Sequence, residues 1–382
     1  MRASIVTLCA TPLALAIVVS SVPADAGTTQ KTTQKRTSTR FDEVDLVSDM
    51  KGRAAVTDAR LVNPWGLAMG KALWVSDTGT GWATVYAGNG AKQPTEVLIP
   101  GGAPTGQVVN MNPDDFLIKG KPATFIFASP SGAISAWNGE VDAGHALIEA
   151  FTRNADYKGL ALMNTNHGAF LLAPSFSHGR VHAFDEEFNR VRLSRWQFRD
   201  PHVPPNYAPW NVEVIGGTVM VAYAKRDPET GKPIAGRGFG FVSQFRPNGR
   251  YIRRFASRGW LNAPWAMTLA PQGFGGFSGA LLIGNFGDGW INAYNPRSGR
   301  YLGALRKADG RPIAIEGLWD LEPGTATVGG TNTLWFTAGI SKAQHGLLGL
   351  IKQHGAVANT SAVTSASPSP NPSHSSSGGY GY

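Results

Sequence analysis

Cysteine is nearly missing from this sequence, with one residue, Cys9, in 382. A single thiol excludes an intrachain disulfide framework and any cysteine-rich zinc or iron–sulfur site. Charge is also scarce. Asp, Glu, Lys and Arg make up only 16% of the chain, which argues against a coiled coil, a charged helical bundle or a disordered protein. Long apolar runs are confined to residues 5–19, and no other stretch reaches the ~18 residues of a membrane-spanning helix. Two familiar catalytic signatures, His-Glu-x-x-His and Gly-x-Ser-x-Gly, do not occur. The sequence therefore assigns no enzymatic reaction.

What is abundant points elsewhere. There are 47 Gly, 25 Pro and 11 Trp, the composition of many tight turns joined by short aromatic strands. At the N-terminus, Met1-Arg2, the apolar run 5–19 and Ala24-Asp25-Ala26 form the three parts of a secretory signal peptide, residues 1–26. Cys9 lies within the part removed, so the mature chain would carry no thiol into an oxidising compartment. The expected location is secreted or periplasmic, with no membrane span in the mature chain. Residues 27–40 form a basic Thr/Gln-rich linker, and 357–382 a Ser/Pro/Gly-rich tail expected to be disordered. The net charge of +9 owes much to Lys31, Lys35, Arg36 and Arg40 of the linker. The remaining bases are scattered, apart from Arg190, Arg192 and Arg195, and Arg250, Arg253 and Arg254. These clusters fall in expected outer strands, where charge protects an edge, and no nucleic-acid partner is expected.

The fold follows from a phrase repeated six times: a Pro-Trp or Tyr/Gly entry, two apolar strands separated by a turn, and a third strand ending in an aromatic residue. It opens as Asn63-Pro64-Trp65-Gly66-Leu67-Ala68, Pro104-Thr105-Gly106-Gln107, Tyr157-Lys158-Gly159-Leu160, Tyr207-Ala208-Pro209-Trp210-Asn211-Val212, Asn262-Ala263-Pro264-Trp265 and Glu316-Gly317-Leu318-Trp319. Its spacing of roughly 40–55 residues is the period of four-stranded propeller blades. A fourth strand follows in blades one to five, but the chain runs out after the third strand of blade six. Residues 41–47 alternate apolar and polar and are assigned as the missing strand, closing an all-β, six-bladed β-propeller over 41–356.

The Asn-Pro-Trp-Gly-Leu-Ala opening, the Tyr-Ala-Pro-Trp-Asn-Val segment and the turn Asn285-Phe286-Gly287-Asp288-Gly289 resemble a secreted, NHL-like β-propeller family of conserved hypothetical proteins, some with a PEP-CTERM anchor. The resemblance covers about residues 41–351. It implies export and a propeller, and it implies no activity.

A propeller gathers its loops on two faces. The face holding the strand-one entries collects Trp65, Lys158, Trp210, Trp265 and Glu316. Loops after the second strands add Asp77, His178, Lys225, Asn285 and Asp288, beside Thr78, Thr80 and Ser175. These ten residues are the expected ligand site, for a small molecule, a glycan or a protein partner at the channel mouth. Indoles suit it because each combines an apolar face with one N–H donor. The competing expectation wedges the same indoles between blades. His178 and His182 are four apart on a turn and strand, a spacing not expected to converge as it would on a helix. No cofactor is implied, unless a divalent cation binds as in the alternative reading, a metal-dependent lactonase-like hydrolase. Glu316-Gly317-Leu318-Trp319 is similar to the Glu-containing entry of propeller lactonases of the gluconolactonase type. The other entries offer indoles and Lys158 where a hard cation wants about six oxygens. Gly236-Arg237-Gly238-Phe239-Gly240 lies between strands and is read as a hairpin loop rather than a dinucleotide site.

Overall fold

The computed structural model describes residues 38–358. The expected signal peptide, nearly all of the linker and nearly all of the tail lie outside the described residues. Six antiparallel sheets follow one another around a ring as a six-bladed β-propeller. The innermost strands of blades one to six are Pro64–Met69, Gln107–Val109, Ala161–Thr165, Tyr207–Ile215, Pro264–Leu269 and Leu318–Pro323. Each blade then steps outward through consecutive strands. In blade one these are Leu73–Asp77, Trp82–Tyr86 and Lys92–Leu98.

The apolar runs become strands because a middle strand is covered on both faces. All five residues of Leu73–Asp77 and all six of Thr333–Ala338 are buried. Outer strands have one wet face, so Leu147–Phe151 and Tyr251–Ser257 mix exposed and covered positions. Two short additions decorate the ring. Pro233–Ile234 pairs beside blade four within the inserted loop, and Leu117–Ile118 pairs with Lys121–Pro122.

The ring closes as the alternating pattern indicated. Phe41–Ser48 runs antiparallel to Leu347–Gln353 from Phe41↔Gln353 to Ser48↔Leu347 and becomes the outer strand of blade six. Phe41 anchors it, with its ring 4.6 Å from Phe274 and 6.0 Å from Phe277. Val56–Thr57 then adds in parallel at Val47 and Ser48. Closure pairs a strand edge that would otherwise be free to recruit another chain. No helix among the described residues is long and apolar enough to cross a membrane.

Candidate functional site

The six innermost strands run in one direction along the central channel, so its two halves take residues from opposite ends of the same strands. At the beginnings of four of them the pairing slips by one residue. The slips lie between Pro64 and Leu67, Pro209 and Asn211, Pro264 and Met267, and Leu318 and Leu321. Each slip holds a tryptophan: Trp65, Trp210, Trp265 and Trp319. A bulge places two residues against one and re-aims a side chain. Here it turns each indole to the axis. Proline fits at the entry because its fixed φ and missing N–H suit a strand start.

The four indoles fill that half of the channel. Trp65 stacks on Trp319 with ring centroids 3.5 Å apart and planes 23° apart. Trp65 also meets Trp210 at 6.2 Å and Trp265 at 6.3 Å, and Trp319 lies 6.0 Å from each of these. Phe286 covers Trp319 at 4.4 Å and Phe176 covers Trp210 at 4.6 Å. The indoles therefore interlock with each other, neither lining an open mouth nor separating neighbouring blades. Blades two and three contribute little bulk here. A Cβ added at Gly106 would lie 2.2 Å from the Leu160 nitrogen, so glycine lets these inner strands pass close.

Lys158 closes the plug. Its ammonium sits 5.6 Å from the Trp65 ring and 5.9 Å from the Trp210 ring, paired with Asp156 at 2.7 Å. Its carbonyl accepts the Trp265 indole N–H at 2.9 Å, and Asn63 Oδ1 accepts that of Trp319 at 2.9 Å. Trp65 Nε1 and Trp210 Nε1 are buried without a partner.

The rest of the expected set is dispersed. Asp77 is fully buried in blade one, accepting from Thr84 at 2.7 Å, and burial holds its carboxyl well above the usual range. Asn285 and Asp288 fasten their own turn. Asn285 Nδ2 donates to Asp288 Oδ1 at 3.0 Å, and Trp290 N donates to the same oxygen at 3.1 Å. Lys225 lies 4.2 Å over Phe239. Glu316 is exposed and accepts the Lys342 backbone N–H at 3.1 Å. It stands apart from any oxygen-rich ring, and no group of three or more His, Cys, Asp or Glu among the described residues is arranged to hold a metal ion.

The histidines depart from expectation. His178 Nδ1 and His182 Nε2 come within 3.4 Å, because the tight turn at Gly179 folds His178 back beside the strand carrying His182. His182 is buried, and Tyr157 Oη lies 2.9 Å from its Nδ1. Burial first, and then Arg190, depress its pKa to about 3.

The far half of the channel is open. A cavity of about 490 Å³ is walled by residues of all six blades in and beside their inner strands, among them Leu67, Gln107, Leu160, Glu213, Met267 and Glu322. Three carboxyl groups enter it: Glu213 from blade four, and Asp320 and Glu322 from blade six. Among the described residues no Lys, Arg or His shares the lining. Asp320 accepts the backbone N–H groups of Leu67 and Leu321, both at 2.8 Å, and so ties blade six to blade one. Burial pushes its pKa up to about 7 despite those donors. Burial, reinforced by Asp320, pushes Glu322 up to about 8. Glu213 is raised well above the usual range, by burial first and then by Asp320 and Glu322. Gln107 donates to Gly66 O at 2.8 Å and Trp74 O at 2.7 Å, which leaves its buried Oε1 unpartnered.

Sequence reasoning missed Trp319 and these carboxyls. Phasing the sixth repeat on Leu318-Trp319-Asp320-Leu321, as for Pro264-Trp265-Ala266-Met267, would have found the fourth indole.

No family model matches the sequence. A structural genomics protein of unknown function from Bacteroides thetaiotaomicron has a similar fold, with a TM-score of 0.50 and 10% identity, over 81% of this chain and 72% of that one. The sequence is 35% identical over 326 residues to Uncharacterized protein R648 of Acanthamoeba polyphaga mimivirus, covering 80% of this chain and 78% of the relative. Uncharacterized protein L690 of the same virus is 31% identical over 322 residues, covering 80% and 83%. The chain belongs to the β-propeller family that includes these two viral proteins.

Proposed function

We infer that the protein is an exported binding propeller whose ligand, a small organic cation, enters the open half of the channel. The carrying observation is a cavity of about 490 Å³ that presents acceptors and carboxyls with no basic side chain among the described residues of its lining. Among the described residues Gln107 Oε1 has no donor, and the Glu322 side chain has no hydrogen-bond or ion-pair partner. A ligand bearing an ammonium group supplies both the N–H donors and the positive charge such a pocket lacks. Leu67, Val108, Leu160 and Met267 offer apolar wall for its carbon chain. Binding of this kind draws the raised carboxyl pKa values down and releases protons. Export rests on the pattern of residues 1–26 and predicts a mature N-terminus at Gly27.

Calorimetric titration with 1,4-diaminobutane tests the binding in two buffers of different ionisation enthalpy. The expected result is saturable binding with proton release at pH 7, weakened at least about 10-fold in Glu213→Gln/Glu322→Gln, a loss of ~1.4 kcal/mol. A neutral sugar bound equally well, or a double variant with unchanged affinity, would overturn the reading.

A further inference from the structure

The outer edge of blade three carries an unbalanced positive charge. Arg180, Arg190, Arg192 and Arg195 line a cavity of about 410 Å³. Arg180 and Arg195 also line an adjoining cavity of about 390 Å³, together with Arg199. The two cavities therefore form one groove with five exposed guanidinium groups along it. None of the five forms an ion pair among the described residues.

The groove's carboxylate does not balance them. Asp200 is fully buried and already engaged, accepting from Arg254 Nε at 2.9 Å and from Ser243 Oγ at 2.6 Å. His182 forms part of the first cavity's wall, and its Nε2 accepts from Arg190 Nη2 at 2.9 Å. That acceptor role needs a neutral ring, so His182 orients one guanidinium without adding to the charge. Edge protection requires only isolated charges along a strand. It does not require five that converge on a concave surface, where like charges repel and gain nothing from one another.

We propose that this groove is an oxyanion site that takes a small ligand carrying phosphate or sulfate groups. Guanidinium is the cation suited to this chemistry, because its planar fork donates two parallel N–H bonds to a tetrahedral oxyanion. The arrangement favours a ligand with two anionic groups: one meets Arg190 and Arg192, the second meets Arg199, and Arg180 and Arg195 stand between. This site lies on a blade edge and is separate from the channel cavity, so the two can be tested independently.

The test is calorimetric titration of the full chain at fixed ionic strength in chloride buffer with inorganic phosphate, inorganic sulfate and inorganic pyrophosphate. Pyrophosphate should bind at least about 10-fold more tightly than either single anion, and the tighter single anion names the ester class. Arg190→Gln/Arg195→Gln should weaken pyrophosphate at least about 10-fold while the melting temperature without ligand stays the same or rises. Arg190→Lys/Arg195→Lys keeps the charge but loses the fork, and should fall between wild type and the Gln pair. Equal affinity in wild type and the Gln double variant, or full affinity in the Lys variant, overturns the proposal. So does the absence of binding to all three anions at millimolar concentration.

Discussion

The two halves of one channel are built from the same six strands and behave as opposites. Toward the strand beginnings, four indoles, Phe176 and Phe286 pack against one another, leaving only a lysine above them. Toward the strand ends, three carboxyl groups face an open cavity and find no cation among the described residues. Position along the strand decides the difference. Bulges at the entries aim large side chains inward until the space is full, whereas the regular pairing beyond them leaves the axis empty. The first half packs the blades together, and the second holds space and charge, with Asp320 also tying blade six to blade one. The structural element of the channel and its chemical element are separable by mutation.

The largest expected effect tests the filled half. Trp319 touches all three other indoles, so Trp319→Ala should open a cavity no neighbour can fill and cost about 3–5 kcal/mol, read by chemical denaturation. A loss below ~1 kcal/mol would show that the plug is not structural. The open half should respond with the opposite sign. Its carboxyl pKa values are raised by folding, so the folded state holds protons that the unfolded chain has released. Stability is therefore greatest below pH ~4 as far as these groups are concerned, and is lost as pH rises through about 7 for Asp320 and about 8 for Glu322. Between pH 6 and pH 9 the decline should be on the order of 4 kcal/mol, and Glu322→Gln should remove part of it and melt higher than wild type at pH 9. An identical pH profile in the variant would contradict the environment described for Glu322. The smallest effect belongs to the lid of the plug. Lys158→Met removes a cation over two indoles and should change stability by about 1 kcal/mol or less, judged from paired melts at low and high salt.

The architecture was legible because it repeats. Each Pro-Trp or Gly entry marks a new innermost strand, and the alternating pattern from Phe41 identifies the strand that closes the ring against Leu347–Gln353. Side-chain direction was not legible at the entries. A bulge inserts one residue into the pairing and reverses which way Trp65 or Trp210 points, and it has no period to detect. Trp319 escaped because its blade lacks the preceding proline and the repeat was phased two residues early, on Gly317. The channel carboxyls escaped for a different reason. In a strand, a polar residue facing a central cavity alternates just as one facing solvent does, so Glu213, Asp320 and Glu322 resemble ordinary ends of half-wet strands. Asp77, Asn285 and Asp288 sit where propeller turns need hydrogen-bond acceptors, a demand that looks the same in sequence as a binding loop.

Ring closure also sets the order of events when the chain is made. Among the described strands Phe41–Ser48 is made first, yet its partner Leu347–Gln353 arrives only after five whole blades have followed. The antiparallel edge of Phe41–Ser48 must wait until the last strand of blade six has been made. Blades one to five can each form from neighbouring residues as they emerge, but the sixth joins the two distant ends of the fold, a contact of the longest range and the slowest to find. Until then a nascent chain presents a lone strand at one end and an incomplete blade at the other. Both are edges that a chaperone can hold and that a second nascent chain can capture.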